Sequence, residues 1–495
     1  MPKATTSRFR ITFIGAGSIG FTRKLVADLL AVPEFEDIEL AFTDINKRNL
    51  ETVTRICRAD IAANGRKATI TATTNRRAAL EGARYVFLVV RIGGLEAFAT
   101  DIDLPLRYGI DQCVGDTLCA GGIMYGQRGI AAMLEFCKDI REVAAPDCLL
   151  FNYSNPMAMM TWAANKYGGV RCIGLCHGVQ HGHQQLVGVL GAKSKEEVDI
   201  ICAGINHQTW YVSIQYKGRQ IGGEELLAAF ERHPKFSREE KVRIDMLRRF
   251  GLYSTESNGH LSEYLPWYRK RSHEIKEWID MGSWINGETG GYLRICTEGR
   301  NWFEEEFAKN REIKPLVYAP ENRSEEHGSR IIEGLETGRT YRGHFNVINQ
   351  GVISNLPDDC VIEAPGYVDR NGINMPQVNP LPLGCAAVCN VSVSVQRLAV
   401  EAASHGDISL LRQAFMMDPL TGAVCNPPEI WQLVDEMLVA GAQWLPQYRS
   451  AIKAARARLT KGPLIPTKST VGAARLTTRT QAELKKQKVN PRAGH

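Results

Sequence analysis

The side chains that could do chemistry stand where apolar runs end. The first such place is Gly15-Ala16-Gly17-Ser18-Ile19-Gly20, which follows an apolar run at 11–14 and opens a helical pattern of Leu25, Val26, Leu29 and Leu30. A second apolar run then closes on Asp44. Strand, G-x-G-x-x-G, helix, strand and acid in that order form a dinucleotide site. Gly15 makes the tight turn, Gly17 lets the backbone approach a pyrophosphate, and Gly20 lets helix and strand pack closely, while Ser18 and Ile19 open the helix whose positive end meets the phosphates. Asp44, about 20 residues further on, can hold a ribose diol and would repel a 2'-phosphate, so NAD is expected rather than NADP. The alternative is an ordinary glycine turn in a parallel sheet.

Further candidates recur at later run ends. Arg91, Gly93 and Gly94 close the run at 85–90, where the glycines let the chain pass close to a cofactor and Arg91 points to the cleft. A glycine-rich loop holding Asp116 leads into a helix holding Arg128, which suits binding of sugar hydroxyls or a carboxylate. Asn155 closes the run at 148–155 and offers a polyol both a donor and an acceptor. Cys176 and His177 close the run at 170–175, and Asn206 and His207 follow the run at 197–203. A thiolate and an imidazole brought together from two strand ends suit a borderline divalent ion and leave positions open for substrate oxygens; a buried thiol and a core imidazole are the plainer reading of the same residues. His181 and His183 read as surface residues. The segment 255–267 is dense in proton-handling groups, among them Glu256, His260 and Tyr264, with His260 also readable as an ordinary loop histidine.

These groups need a scaffold. Continuous rather than alternating apolar runs between helical patterns predict strands buried on both faces, as in a parallel sheet covered by helices. The expected class is α/β, with an N-terminal Rossmann domain at 1–200 and a C-terminal α+β substrate and metal domain at 201–458, of the lactate/malate dehydrogenase type. The second half is expected to hold its own sheet (strands at 347–360 and 361–368), a charged helical scaffold at 270–340, and long helices at 386–415 and 428–457. At 495 residues the chain exceeds one compact core. The net charge of +6 misleads: from Lys461 onward eight basic residues face one acid, leaving the body near −1. A near-neutral body argues against a nucleic-acid surface, and the polar basic stretch 459–495 reads as a disordered tail. No run of about 18 apolar residues suggests a membrane span. Thirteen scattered cysteines without a signal-like N-terminus read as reduced thiols of a cytoplasmic protein.

With these residues in view, the chain resembles glycoside hydrolase family 4, the NAD- and manganese-dependent glycosidases. The matching segments are ITFIGAGSIGF (11–21), DTLCAGG (116–122), NYSNPMAM (152–159), GLCHGVQ (174–180), CAGINHQTWY (202–211), ESNGHLSEYLPW (256–267), VDRNGI (368–373) and AFMMDP (414–419), which span nearly everything before the tail. The resemblance is strongest to the melibiase-type alpha-galactosidases. It implies Mn2+ on Cys176 and His207, and substrate contacts from Asn155, His177 and Asn206. His-Gly-Val at 177–179 departs from the phospho-sugar members and implies an unphosphorylated substrate. Gly178 stands where the melibiase-type motif has Ser; Cys-His-Gly occurs in alpha-glucosidases and alpha-glucuronidases, which leaves those sugars as alternatives to galactose. A homo-oligomer, dimer or tetramer, is also implied.

Such enzymes are exceptions to the two-carboxylate rule of glycoside hydrolysis. NAD+ takes a hydride from sugar C3, the resulting ketone acidifies the C2 proton, Mn2+ stabilises the enolate charge, and the aglycone leaves from C1. In this chain the resemblance makes Asp116 the acid for the leaving group, with Tyr264 and Glu256 as candidates for the C2 base. A tyrosine base would need a nearby cation such as Mn2+ or Arg269. A hydroxy-acid dehydrogenase or a non-catalytic NAD-sensing module would share the first half but has no need of Cys176.

Overall fold

The computed structural model describes residues 8–281, 287–307, 309, 313–468 and 471–487. Strands β1 (Arg10–Ile14), β2 (Glu39–Thr43), β3 (Thr69–Thr73), β4 (Tyr85–Leu88), β5 (Leu149–Asn152) and β6 (Arg171–Gly174) lie parallel in the order β3-β2-β1-β4-β5-β6. This is the doubly wound order of a dinucleotide-binding sheet, with its switch point between β1 and β4. All of β4 and β5 is buried, as a strand covered by helices on both faces requires. The helices Ile19–Leu30, Lys47–Ala63, Cys119–Val143 and Met157–Lys166 connect or cover these strands.

The second half does not form a separate sheet. It comprises β7 (Val198–Ile205), β8 (Gln208–Tyr216), β9 (Arg219–Gln220), β10 (Tyr341–Ile348), β11 (Val361–Asp369) and β12 (Gly372–Asn374). The sheet continues past β6 as β10-β11-β7-β8-β9, all antiparallel, with β12 on β11. At the seam Asn346 of β10 registers with Gly174 of β6. A Cβ on Gly174 would lie 2.1 Å from Met157 Sδ and 3.0 Å from Asn346 Cβ, so the close approach of the two halves depends on this glycine. The expected strand at 347–360 is shorter than its apolar run: β10 stops at Ile348, because the buried Asn349 amide caps a turn by donating to the carbonyls of Ile353, Leu356 and Pro357. The expected boundary at residue 200 falls inside β7.

The largest core cluster lies under the second half and joins the helices Cys119–Val143, Met157–Lys166 and Leu383–His405 through fully buried Trp162 and Trp210. The helix Leu383–His405 is long and apolar enough to cross a bilayer, but half of that apolar stretch is buried inside the molecule. The expected helix at 386–415 is two helices, Leu383–His405 and Ile408–Met417, broken at Gly406.

The disordered tail is corrected over its described part. Ala474 and Leu484 are buried, Arg475 pairs with Asp103 at 2.6 Å and Arg479 with Glu298 at 2.9 Å. The backbone supplies what the composition lacks: the Ala473 N–H donates to Asp111 Oδ2 at 2.9 Å and the Ala474 N–H to Thr289 Oγ1 at 3.2 Å. Residues 488–495 lie outside the described residues.

Candidate active site

The glycine turn has the form a dinucleotide needs. Gly15 adopts φ +89°, and a Cβ there would lie 1.9 Å from the Val89 carbonyl oxygen, so no other residue fits. Ser18 precedes the first helical residue, Ile19, in extended backbone, and Gly20 lies in the first turn. Asp44, half-buried just past the end of β2, accepts the Gly17 N–H at 2.8 Å and the Asn46 N–H at 2.7 Å. The carboxylate is thereby fixed beside the turn, where a ribose diol would lie. Gly93, at φ +88°, starts the helix Gly94–Arg107 behind Arg91. The donors and the cradle fit NAD.

Arg91 reaches from the end of β4 toward Asp116, whose carboxylate is buried. Asp116 accepts from Asn155 Nδ2 at 2.9 Å, Thr117 Oγ1 at 3.0 Å and Arg91 Nη2 at 3.4 Å. Three rings, those of Phe98, Tyr125 and Tyr292, enclose the Arg91 guanidinium at 4.2, 4.9 and 5.5 Å. Asp116, Arg91 and Asn155 are thus one cluster fed by three segments of the chain.

Arg128 does not join it. Its guanidinium is buried and forms a two-pronged ion pair with Asp101, Nη1 at 2.9 Å from Oδ1 and Nη2 against Oδ2, so its donors are taken up by the protein. The helix begins at Cys119, so Arg128 lies more than two turns inside it, where its side chain points inward against Tyr125. Substrate binding by Arg128 is therefore corrected to a buried structural pair.

Cys176, just beyond β6, and His207, in the turn between β7 and β8, meet as expected, with Sγ 3.8 Å from Nε2. Glu256 Oε1 lies 3.3 Å from the thiol and 4.0 Å from His207 Nε2, and the three donor atoms fall within 4.8 Å of one another. Gly178 explains how the carboxylate enters: a Cβ there would lie 1.8 Å from Glu256 Oε1. Burial raises the Cys176 thiol well above its ordinary range, and Glu256 and Glu363 add to the effect, so the sulfur keeps its proton until a cation displaces it. Burial holds the His207 imidazole near 4, against the pull of Glu256, which leaves it neutral and able to ligate. Burial pushes the Glu256 carboxyl up, whereas the imidazoles of His207, His260 and His177 when charged, and the Cys176 thiol, pull it below the ordinary carboxylate range. Thiol, neutral imidazole Nε2 and carboxylate, converging within 4.8 Å, fit a borderline divalent cation such as Mn2+.

The remaining expected residues surround this cluster. The Asn206 amide is buried between Cys176 and Glu363. His177, partly exposed at the cleft, has Nδ1 3.8 Å from Glu326 Oε1 and its ring against His181 at 4.7 Å. Glu326 belongs to the stretch read from sequence as scaffold alone. Tyr264 is fully buried; burial, Glu263 and Asp116 all push its phenol well above 10. Arg269, the cation expected to lower it, is engaged by Asp111 and by the Gly287 carbonyl at 2.6 Å.

His260 reads from the sequence as a third possible base or an ordinary loop histidine. It lies in the short helix Asn258–Tyr264, its ring stacked on His207 at 5.1 Å and its Nδ1 3.5 Å from Glu256 Oε2. His260 and Tyr264 are four residues apart, the spacing of one helical face, whereas Glu256 precedes the helix at φ +70°. Glu363, buried and pushed up to about 7 by its burial, was not singled out at all. It accepts from Thr209 Oγ1 at 2.7 Å behind the cluster, and an acid inside a strand of apolar neighbours gives little local sign of such a place.

Residues 10–192 match the profile of the Family 4 glycosyl hydrolases, and residues 202–421 match that of their C-terminal domain. The chain is 59% identical over 480 residues to an alpha-galactosidase of Rhizobium meliloti, covering 97% of this chain and 98% of the relative. The chain belongs to glycoside hydrolase family 4. An alpha-galactosidase of Bacillus subtilis is 32% identical over 444 residues, covering 89% of this chain and all of the relative. Among solved structures, the Bacillus subtilis protein lplD superposes with a TM-score of 0.75 at 26% identity, over 87% of this chain and all of that one. The 6-phospho-beta glucosidase of Thermotoga maritima, solved with manganese, NAD+ and glucose-6-phosphate, shares the fold at a TM-score of 0.70 and 22% identity, over 88% of this chain and 99% of that one. These family 4 folds carry the same mixed α/β architecture with its parallel sheet.

Proposed function

We propose that this protein hydrolyses unphosphorylated alpha-galactosides with NAD+ and Mn2+ as cofactors. The observation that carries the reading is the convergence of Cys176, His207 and Glu256 at the carboxyl ends of the strands, in the same sheet whose glycine turn suits a dinucleotide. Galactose is supported by the two alpha-galactosidases at 59% and 32% identity. When bound, NAD+ would supply a reversible hydride acceptor for the sugar, and Mn2+, held by Cys176 and His207, would supply a Lewis acid for its oxygens.

The protein's own groups do the rest. Cys176 and His207 hold the ion. Asn155, His177 and Asn206 orient sugar hydroxyls at the cleft. Glu256, with one oxygen toward Cys176 and His207 and the other 3.5 Å from His260 Nδ1, takes the C2 proton, with Tyr264 as the alternative base. Asp116, steadied by Arg91 and Asn155, gives a proton to the departing glycosidic oxygen. Gly15, Gly17, Ser18, Ile19, Gly20, Asp44, Arg91, Gly93 and Asn155 hold the cofactor. The protein works in the cytoplasm as a homo-oligomer in this reading; its thirteen cysteines are all free thiols, which supports a reducing compartment.

The test uses nitrophenyl alpha-galactoside, with and without NAD+, Mn2+, a chelator and a thiol reductant. Turnover should need both cofactors, and substrate deuterated at C2 should lose its label to solvent. Full activity after NAD removal and chelation, or retention of the C2 label through turnover, would overturn the mechanism. Faster cleavage of the glucoside or glucuronide would overturn the choice of sugar.

A further inference from the structure

The carboxylate of Glu263 is fully buried and has none of the roles assigned above. It points into the loop that carries Asp116. Its Oε2 accepts the N–H groups of Cys113 at 2.8 Å and Val114 at 3.1 Å, and its Oε1 accepts the N–H of Gly115 at 3.0 Å. Its own carbonyl accepts from Cys119 Sγ at 2.9 Å, on the far side of Asp116. One residue therefore holds the loop both before and after the buried acid. Three successive backbone donors converging on one anion form an anion-binding concavity that is here filled from within the chain.

The same residue sits in the helix Asn258–Tyr264, next to Tyr264 and three residues from His260. The loop is further tied at Asp111, which accepts from Arg269 Nη2 at 2.8 Å and Thr289 Oγ1 at 2.8 Å. Four hydrogen bonds to one residue give the loop a single favoured seat, and that seat is fixed to the helix Asn258–Tyr264.

We propose that Glu263 is a positioning residue that sets Asp116 at the glycosidic oxygen by locking residues 113–119 to the helix bearing His260 and Tyr264. This rests on Asp116 being the acid for the leaving group. Glu263→Gln replaces one of the two acceptor oxygens with an amide that opposes a backbone N–H, so the loop shifts while the volume is kept.

The experiment compares two alpha-galactosides whose leaving groups differ in their need for a proton, nitrophenol (little) and a second sugar (much). Glu263→Gln should lower kcat on the disaccharide at least tenfold and on the nitrophenyl substrate less than threefold. KM, NAD+ affinity and Mn2+ affinity should stay within twofold of wild type. Glu263→Asp, which keeps the charge but withdraws it by one methylene, should fall between, and it carries the test should the glutamine variant not fold. Equal losses on both substrates in a folded variant would overturn the positioning role. Asp116→Asn is run alongside. If it shows no dependence on the leaving group, the acid assignment itself fails; if it shows the dependence and the Glu263 variants do not, only the present inference fails.

Discussion

The seat of Glu256 can be tested by filling the space next to it. Gly178→Ala puts a Cβ 1.8 Å from Glu256 Oε1 and 2.6 Å from its Cδ, whereas real Cβ contacts essentially never fall below 3.0 Å. The carboxyl group must therefore retreat by about 1.2 Å or more. An ångström of misplacement at a reacting group costs on the order of 100-fold in rate, which is about 2.7 kcal/mol of barrier. The displaced atoms are the free end of a flexible side chain, so folding should be spared and Tm should move by no more than about 2 °C. The assay is kcat on nitrophenyl alpha-galactoside at saturating NAD+ and Mn2+, with loss of the C2 label to solvent followed in parallel. Both should fall together by about 100-fold. Glu256→Gln should do the same, and the double variant should be no worse than the more damaging single one, because both remove one function. Turnover within threefold of wild type, with normal exchange at C2, would refute Glu256 as the proton acceptor.

Two further perturbations probe the frame. Burial holds His344 near 3, and its Nε2 accepts the Cys202 N–H at 3.0 Å, so protonation breaks a backbone hydrogen bond between β10 and β7. Its folded pKa lies below the unfolded value near 6.5, so the unfolded chain takes up the proton first and stability falls as pH drops from 6.5 toward 3. At pH 5 this group alone costs about 2 kcal/mol; His344→Gln, which keeps an acceptor, should flatten the decline of Tm between pH 7 and 5, and an unchanged slope would count against it. Ending the chain at residue 468 removes the Ala473 N–H donor to buried Asp111, worth about 1.5–3 kcal/mol, together with the Arg479–Glu298 pair. Tm should drop by about 2–5 °C, and an unaltered melting curve would show that the segment contributes nothing to the fold.

The dinucleotide half was legible because its signals are local. The glycine turn, the continuous apolar strands and Asp44 each have one physical use at one spacing, and each lies where the pattern puts it. Cys176 and His207 were legible as strand-end residues, since parallel strands deliver their ends to one cleft. Glu256 was visible as an acid in a polar segment, but its place between thiol and imidazole depends on Gly178 leaving room from a different part of the chain. Arg128 was misjudged because helix phase fixes which way a side chain points, and Asp101, 27 residues earlier, was there to receive it. The tail was misjudged for a similar reason: composition counts side chains, whereas Ala473 and Ala474 dock through backbone N–H groups. The continuation of the sheet across Gly174 and Asn346 left no sequence trace, because a single register contact between strands far apart in the chain has no periodicity to read.

That seam constrains recombination between relatives. Cys176 follows the last parallel strand, while His207 follows the first strand of the antiparallel part, so a crossover near residue 200 would draw the two proposed ion ligands from different parents. It would also ask β10 from one parent to lie edge to edge with β6 from the other, around a glycine with no room for a side chain. Chimeras that exchange the nucleotide half alone must therefore match at Gly174 and Asn346 before their cofactor preference can be compared at all.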